Sequence, residues 1–406
     1  MTDDREILIF EPAAGGHQMH YVASIAKALA HANMGPLRLV TTVQALGHES
    51  TMGVVGAGAF DSIDTVAPSS ISAGLRYRFY GPAERQHRDM MALARFVKAR
   101  GGISRFRLIF FPFLDSAGII PLALGHYPFG EISFGGSVLR PHYHLKSAGV
   151  PARRRLKDFP ERFIYNKLLR TRNLKALFSI DPYFVRHCGD PRVFYTPDPA
   201  RLHGAAQAGA LRSRMGIPSD AVIVLVYGSI DARKGVSQLL RAAAGLGDQS
   251  KIVVLLAGRQ NPQLAASLPK PELEYLRRRN AIFEMNQYIM PEVEHELFLD
   301  ADIVWLCYGS NYGNSSGAMI RAGMVGRPMI TSSYGIIYQM VSDADAGLAV
   351  NAENVGAITA ALQTLASDAV LRASMGRNGK IVFSRHTEEA FVSPMVKQLQ
   401  AVLERS

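Results

Sequence analysis

The chain has 406 residues, 48% of them hydrophobic and 19% charged, which favours two domains and excludes a disordered or fibrous chain. Its two cysteines, Cys188 and Cys307, lie far apart, which excludes a disulfide scaffold and fits a reducing cytosol. The formal net charge of +11 points to an anionic partner or surface, but no nucleic-acid motif accompanies it, so no nucleic-acid partner is expected.

Acidic Asp3 and Asp4 precede the first apolar run, so no targeting segment is expected at the start. Ile7–Phe10 reads as a strand, followed by a glycine turn at Gly15-Gly16 and a helix with Val22, Ile25, Ala26 and Leu29 on one face. Leu37–Val40 reads as a second strand. The apolar stretch from Leu108 to Leu124 is broken by Pro112, Asp115, Gly118 and Pro121, which suit a buried strand, a loop and a short helix rather than a membrane helix. A cytoplasmic chain is therefore expected, with peripheral contact at the inner face of the cell membrane as an open alternative.

The segment 153–175 carries Arg153, Arg154, Arg155, Lys157, Arg162, Lys167, Arg170, Arg172 and Lys175, interleaved with Leu156, Phe159, Phe163, Ile164, Leu168 and Leu169. Such a basic, partly apolar helix either meets anionic lipid head groups or forms a solvated face over the core. Ala176–Ile180 is a further strand. Prolines at 197 and 199 forbid a helix in Tyr195–Pro199, which reads as a hinge.

Beyond it the pattern restarts. Ala221–Tyr227, Lys251–Ala257, Ile282–Met285 and Ile303–Cys307 read as apolar strands. Val236–Ala244 and Ala357–Ala366 read as helices, and Gly326-Arg327-Pro328-Met329-Ile330 as a passage from helix to strand. Continuous apolar strands alternating with helices indicate α/β halves built on parallel sheets covered on both faces.

In doubly wound sheets ligands sit beyond the carboxyl ends of the strands, so the residues after each strand are the candidates. Gly15 and Gly16 let the backbone approach a phosphate or sugar closely, and His17 sits in that turn. The GxGxxG spacing is missing, which counts against a nicotinamide dinucleotide. Gly228-Ser229-Ile230-Asp231-Ala232-Arg233-Lys234-Gly235 places two adjacent cations before a helix start, an arrangement suited to a diphosphate. Asn314, Ser315, Ser316 and Gly317 lead into another helix, where small hydroxyl residues and free N–H groups meet phosphate oxygens and ribose hydroxyls, or simply cap the helix. Arg259, Gln287 and Tyr288 lie in loops after strands, placed to read a base. Asp115 follows the strand 108–111 and is a candidate for orienting an acceptor hydroxyl; His20 and His126 are weaker candidates. His142 and His144 form an H-x-H pair without a third ligand in view, so no metal is expected.

The ordered set Gly228–Gly235, Ala257-Gly258, Ala301-Asp302-Ile303 and Gly317-Ala318-Met319 through Gly326–Ile330 resembles the carboxyl-terminal half of retaining GT-B glycosyltransferases, similar to glycosyltransferase family 4. The resemblance covers roughly residues 220–385; earlier residues share only the glycine turn and the general pattern. It implies two Rossmann-like, doubly wound parallel-sheet domains facing a central cleft. Their expected extents are 1–198 for an acceptor-binding domain, 199–385 for a nucleotide-sugar-binding domain, and 386–406 for a helix packing back on the first.

It also implies transfer of a sugar from a nucleotide-diphosphate sugar to a lipid-linked or polysaccharide acceptor, with retention, no cofactor and no metal. Lys234 matches the family's diphosphate-binding lysine. Ser229 stands where an arginine is usual, and Arg233 is the candidate substitute. The family's two glutamates before the Gly-x-Pro strand are missing, with Gly317 read at the second position. Another enzyme of this fold, such as a nucleotide-sugar epimerase or hydrolase, and a catalytically silent nucleotide-sugar-binding protein are the alternatives.

Overall fold

The computed structural model describes residues 4–13, 18–48, 51, 53, 55, 56, 58–67, 75–145, 155–202, 204, 206–309 and 312–405. The chain divides into two compact units. One comprises Met1–His144, Arg155–Pro197 and Glu388–Ser406, and the other Leu145–Arg154 and Asp198–Thr387.

The first unit is built on seven strands: β1 (Glu6–Phe10), β2 (Leu37–Thr42), β3 (Ser62–Val66), β4 (Phe106–Phe111), β5 (Ser133–Val138), β6 (Leu174–Ser179) and β7 (Val193–Tyr195). Their order is β3-β2-β1-β4-β5-β6-β7 and every pairing is parallel. Alternate residues of β1 serve opposite faces. Leu8 and Phe10 enter one core with Phe111 and Phe134, while Ile7 and Ile9 enter another with Leu108 and Phe178. Burial on both faces explains why this strand has no polar alternation. The helix Gln18–His31 contributes Met19, Val22, Ile25 and Leu29 to the second core. The last helix, Glu388–Leu403, adds Phe391, Met395 and Leu399, a stripe four residues apart that covers the same sheet face.

The second unit has six strands, β8 (Val222–Tyr227), β9 (Ile252–Ala257), β10 (Ile282–Met285), β11 (Ile303–Leu306), β12 (Met329–Ser332) and β13 (Gly347–Val350). Their order, β10-β9-β8-β11-β12-β13, is again fully parallel. In both sheets the winding direction reverses beside the first strand, between β1 and β4 and between β8 and β11. Each reversal opens a crevice at the carboxyl ends of those strands.

Four strands lie outside the sequence reading. β3 and β13 are short edge strands with polar or weakly apolar sequences, β7 has three residues, and β5 reads Ser-Phe-Gly-Gly-Ser-Val. The glycines of β5 follow from crowding, since a Cβ at Gly136 would lie 2.8 Å from the Phe111 carbonyl oxygen. The helices Leu75–Ala99, Lys270–Arg278 and Ala369–Phe383 also escaped that reading. No helix among the described residues is long and apolar enough to cross a membrane.

Candidate functional site

The turn after β8 and the loop after β11 meet in the crevice of the second sheet. Asp231 caps a short 3-10 turn, Ala232–Lys234, by accepting from the Arg233 amide at 3.0 Å. Two bonds fasten this turn to the neighbouring strand end. The Arg233 carbonyl accepts from Gly309 N at 2.7 Å, and the Lys234 carbonyl accepts from Trp305 Nε1 at 2.7 Å. Gly235, at φ +63°, is held so close that a Cβ there would lie 2.5 Å from the Cys307 carbonyl oxygen. The glycine after Arg233-Lys234 is thus required by this contact and by the left-handed backbone.

Lys234 is 5% exposed. Its ammonium donates to the Tyr227 carbonyl at 2.6 Å and to Tyr308 Oη at 3.0 Å, and lies 4.8 Å from the Tyr308 ring centre. An ammonium carries three N–H donors, so one remains for an anion. Arg233 is more open and lies over the rings of Tyr312 and Tyr308, at 4.9 and 5.9 Å from their centres. Tyr308 Oη in turn meets Ser316 Oγ at 3.1 Å. Ser316 precedes the helix Gly317–Met324, and its side chain does not cap that helix. The Met319 amide already reaches the Ser316 carbonyl at 3.0 Å, which leaves the amides of Gly317 and Ala318 at the open end. Cation, hydroxyls and helix start therefore form one continuous cluster.

A trio centred on buried Glu294 fixes the frame around it. The Tyr227 hydroxyl donates to Glu294, Arg321 Nε faces Glu294 Oε1 at 2.8 Å, and Arg321 Nη1 donates to the Gly317 carbonyl at 3.2 Å. Burial, and then the carboxylate of Glu294, push the Tyr227 hydroxyl pKa up, so it stays a donor. Asn314 Oδ1 is buried without a partner among the described residues. An unpaired acceptor of that kind is costly unless a ligand donates to it. Ser229 is exposed at the mouth of the turn, and Ser315 gives its carbonyl to the Tyr312 hydroxyl at 2.6 Å.

Arg259, Gln287 and Tyr288 follow β9 and β10 at the same end of the sheet. The Arg259 carbonyl accepts from Ile230 N at 2.9 Å, and the Tyr288 ring is 62% exposed, open for stacking. Gly258 pins the ends of β8 and β9 together, its φ of +138° being open only to glycine. Sequence reasoning missed Tyr308, Glu294 and Arg321. Tyr308 falls in the gap between the strand read as Ile303–Cys307 and the Asn314–Gly317 turn, and the other two sit on helices where charge is ordinary.

In the first unit, Gly15, Gly16 and His17 lie outside the described residues. Asp115 sits in the short helix Leu114–Ala117, where its Oδ2 accepts from the Leu139 and Arg140 amides, both at 3.1 Å. Its charge acts on Glu11, directly after β1, as does that of Asp89 of the helix Leu75–Ala99; the sequence reading singled out neither. His20 faces Glu388 Oε1 at 3.2 Å, and His126 packs edge-on to His87. His144 is buried in a 2.7 Å contact with Asp181, whereas His142 faces Glu161. Among the described residues, no three His, Cys, Asp or Glu side chains stand together as metal ligands.

Burial lifts the pKa of Asp89 from 3.8 to about 6, against the pull of Arg85. The folded carboxyl holds its proton more tightly than the unfolded one, so stability falls as pH rises through that window and stays lower above it. Asp89→Asn is therefore expected to match the wild type near pH 3.5 and to exceed it above pH 6, by on the order of 1–3 kcal/mol. Melting temperatures measured across this range check it; parallel curves for the two proteins contradict it.

The fold is that of the GT-B glycosyltransferases. Sucrose-phosphate synthase from Thermosynechococcus elongatus matches with a TM-score of 0.70 at 18% identity, covering 99% of this chain and 100% of that one. Anabaena HepE in complex with UDP-glucose matches with a TM-score of 0.64 at 13% identity, covering 98% and 99%. Residues 209–382 match the family described as Glycosyl transferases group 1, so the resemblance drawn from the motifs holds over this stretch of the second unit. D-inositol 3-phosphate glycosyltransferase of Streptomyces avermitilis is 31% identical over 198 residues, 46% of this chain and 40% of that protein. The chain thus spans about two fifths of the length of the first curated relatives it matches.

Proposed function

We propose that the chain is a glycosyltransferase that binds a nucleotide-diphosphate sugar in the second unit and transfers the sugar, with retention, to a hydroxyl of a carbohydrate or glycolipid. The observation that carries this reading is the hydrogen-bonded run from Lys234 Nζ through Tyr308 Oη to Ser316 Oγ, which joins a buried cation to an open helix start. A diphosphate seated there meets the remaining N–H of Lys234, the guanidinium of Arg233 and the amides of Gly317 and Ala318. These groups are already oriented by the contacts beneath them, so they stabilise growing negative charge without rearranging.

In the reaction, the bond between the anomeric carbon and the β-phosphate oxygen breaks as the acceptor oxygen bonds to the same carbon. The acceptor's proton passes to the departing phosphate, and no protein nucleophile, cofactor or metal is called for. Arg259, Gln287 and Tyr288 are the side chains placed for the base, and Asn314 Oδ1 awaits a ribose hydroxyl. Asp115, with His17, is assigned to the acceptor. The test is consumption of nucleotide sugars with and without a panel of glycan and glycolipid acceptors. Acceptor-dependent release of nucleoside diphosphate supports transfer. Acceptor-independent turnover points instead to an epimerase or hydrolase, and tight nucleotide binding without turnover to a silent binding protein.

A membrane contact forms the second part of the proposal. Arg162, Lys167, Arg170 and Arg172 are exposed, while Arg153 and Arg154 lie outside the described residues. Phe163 is 48% and Leu124 61% exposed, and both line a hollow of about 400 Å³ rimmed by Lys167 and Arg170. Apolar side chains ringed by cations suit an anionic lipid surface. Vesicles containing anionic lipid should sediment the protein at low salt, and the double variant Phe163→Ser with Lys167→Glu should weaken this at least ~10-fold, from the loss of apolar area and charge. Equal recovery with zwitterionic vesicles contradicts it.

A further inference from the structure

The crevice of the first sheet holds carboxyl groups that the fold itself does not use. Glu11 follows β1 and Asp115 follows β4, the two neighbours between which the winding reverses. The Glu11 backbone is fixed, its amide donating to the Val40 carbonyl at 3.2 Å and its carbonyl accepting from Thr41 Oγ1 at 2.7 Å. Its side chain is 0% exposed. Oε1 accepts from Ala13 N at 3.2 Å, whereas Oε2 is buried with no partner among the described residues. Asp115 repeats the pattern, with Oδ2 taking two amides and Oδ1 buried and unpartnered.

Gln86, bonded to the Asp115 backbone, supplies neither orphan. Gln86 Nε2 donates to the Asp115 carbonyl at 3.0 Å, and its Oε1 accepts from Ile120 N at 3.0 Å. Each buried orphan costs about 1–3 kcal/mol, which a methionine or leucine at the same place would avoid. Two such oxygens at the strand ends that flank one crevice are understandable if something else completes them.

The chemistry of the missing partner follows from the charges around it. Burial holds the Glu11 proton on well above the usual carboxyl range, and the charges of Asp115 and Asp89 push the same way. Burial raises Asp115 as well, with Arg140 pulling the other way. A protonated carboxyl beside a second one offers both a donor and an acceptor, the complement of an alcohol, which also does both. A phosphate group would instead set its own charge against the carboxylate of Asp89, whose pKa of about 6 leaves it ionised at neutral pH.

We propose that Glu11 and Asp115 form the acceptor subsite and bind neighbouring hydroxyls of an uncharged sugar or polyol, not a phosphorylated acceptor. The inference rests on the glycosyltransferase reading and gives its acceptor a chemical class. It differs from the relative named above, whose own name carries a phosphate.

The test is ligand-observed NMR binding with the full chain, using glucose, maltose, myo-inositol and the monophosphates of glucose and inositol as probes. Nucleoside diphosphate binding is followed in parallel. At least one neutral probe should bind the wild type more tightly than its monophosphate. Glu11→Met should weaken that binding at least ~10-fold while leaving the melting temperature equal or higher, because it removes an unpaired buried oxygen. Glu11→Gln, which still donates and accepts, should retain most of the binding. Diphosphate binding should be the same in all three proteins. Preferential binding of the monophosphates, no binding of any neutral probe, or unchanged binding by Glu11→Met would each overturn the proposal. Loss of diphosphate binding by the wild type is a separate result and counts against the glycosyltransferase reading instead.

Discussion

Lys234→Met is expected to weaken nucleoside diphosphate binding by roughly 10- to 100-fold, the range of one or two charge-assisted hydrogen bonds. The size follows from burial. Lys234 is 5% exposed, so its interaction with a phosphate is screened little by water or salt. Its stem replaces cleanly with methionine, and Tyr308 Oη keeps Ser316 as a partner, so the cluster is not dismantled by the change. Arg233→Met should cost less, about 3- to 10-fold, because the Arg233 side chain is 41% exposed and already tethered to Asp231 at 3.3 Å. Its contribution should also shrink in high salt while that of Lys234 persists. Titration calorimetry at two ionic strengths measures both, and equal losses for the two variants would count against a buried phosphate contact at Lys234.

Gly258→Ala is the second large effect, and it acts on geometry rather than charge. A Cβ at this position would stand 1.9 Å from the Gly228 carbonyl oxygen and 2.7 Å from its carbon. Both obstacles are backbone, and Gly228 is itself tied back to the Ala257 carbonyl at 2.9 Å. The substitution must therefore prise apart the ends of β8 and β9, on top of a φ that L residues rarely adopt. A loss of at least ~3 kcal/mol of stability is expected, with displacement of the turn that carries Arg233 and Lys234. Gly245→Ala provides the control, since nothing lies within 4 Å of its added Cβ. There the change should be neutral or stabilising by up to ~1 kcal/mol. Thermal melting of the two variants decides, and similar melting temperatures would contradict the account.

These two residues also mark what the amino-acid order made readable. Lys234 stood out because a cation pair before a glycine at a helix start is a local pattern, complete within eight residues. The same holds for β8, β9 and β11, whose burial on both faces leaves an unbroken apolar run. Tyr308 was hidden because its value is relational. It lies 74 positions from Lys234 and 8 from Ser316, and only the parallel pairing of β8 with β11 brings the three together. Glu294 and Arg321 were hidden for the same reason, as was Glu11, which reads locally as a polar residue closing a strand. Its significance lies in complete burial with one oxygen unpaired. β5 was missed because two glycines, Gly135 crowded by the Ala176 carbonyl and Gly136 by that of Phe111, erased its apolar signal.

Seating of the diphosphate between the buried lysine and the helix start is best tested by a crystal structure of the chain with the nucleoside diphosphate that stabilises it most. The β-phosphate oxygens should lie about 3 Å from Lys234 Nζ and from the amides of Gly317 and Ala318. A diphosphate seated elsewhere, with Lys234 holding only Tyr227 and Tyr308, would contradict the account.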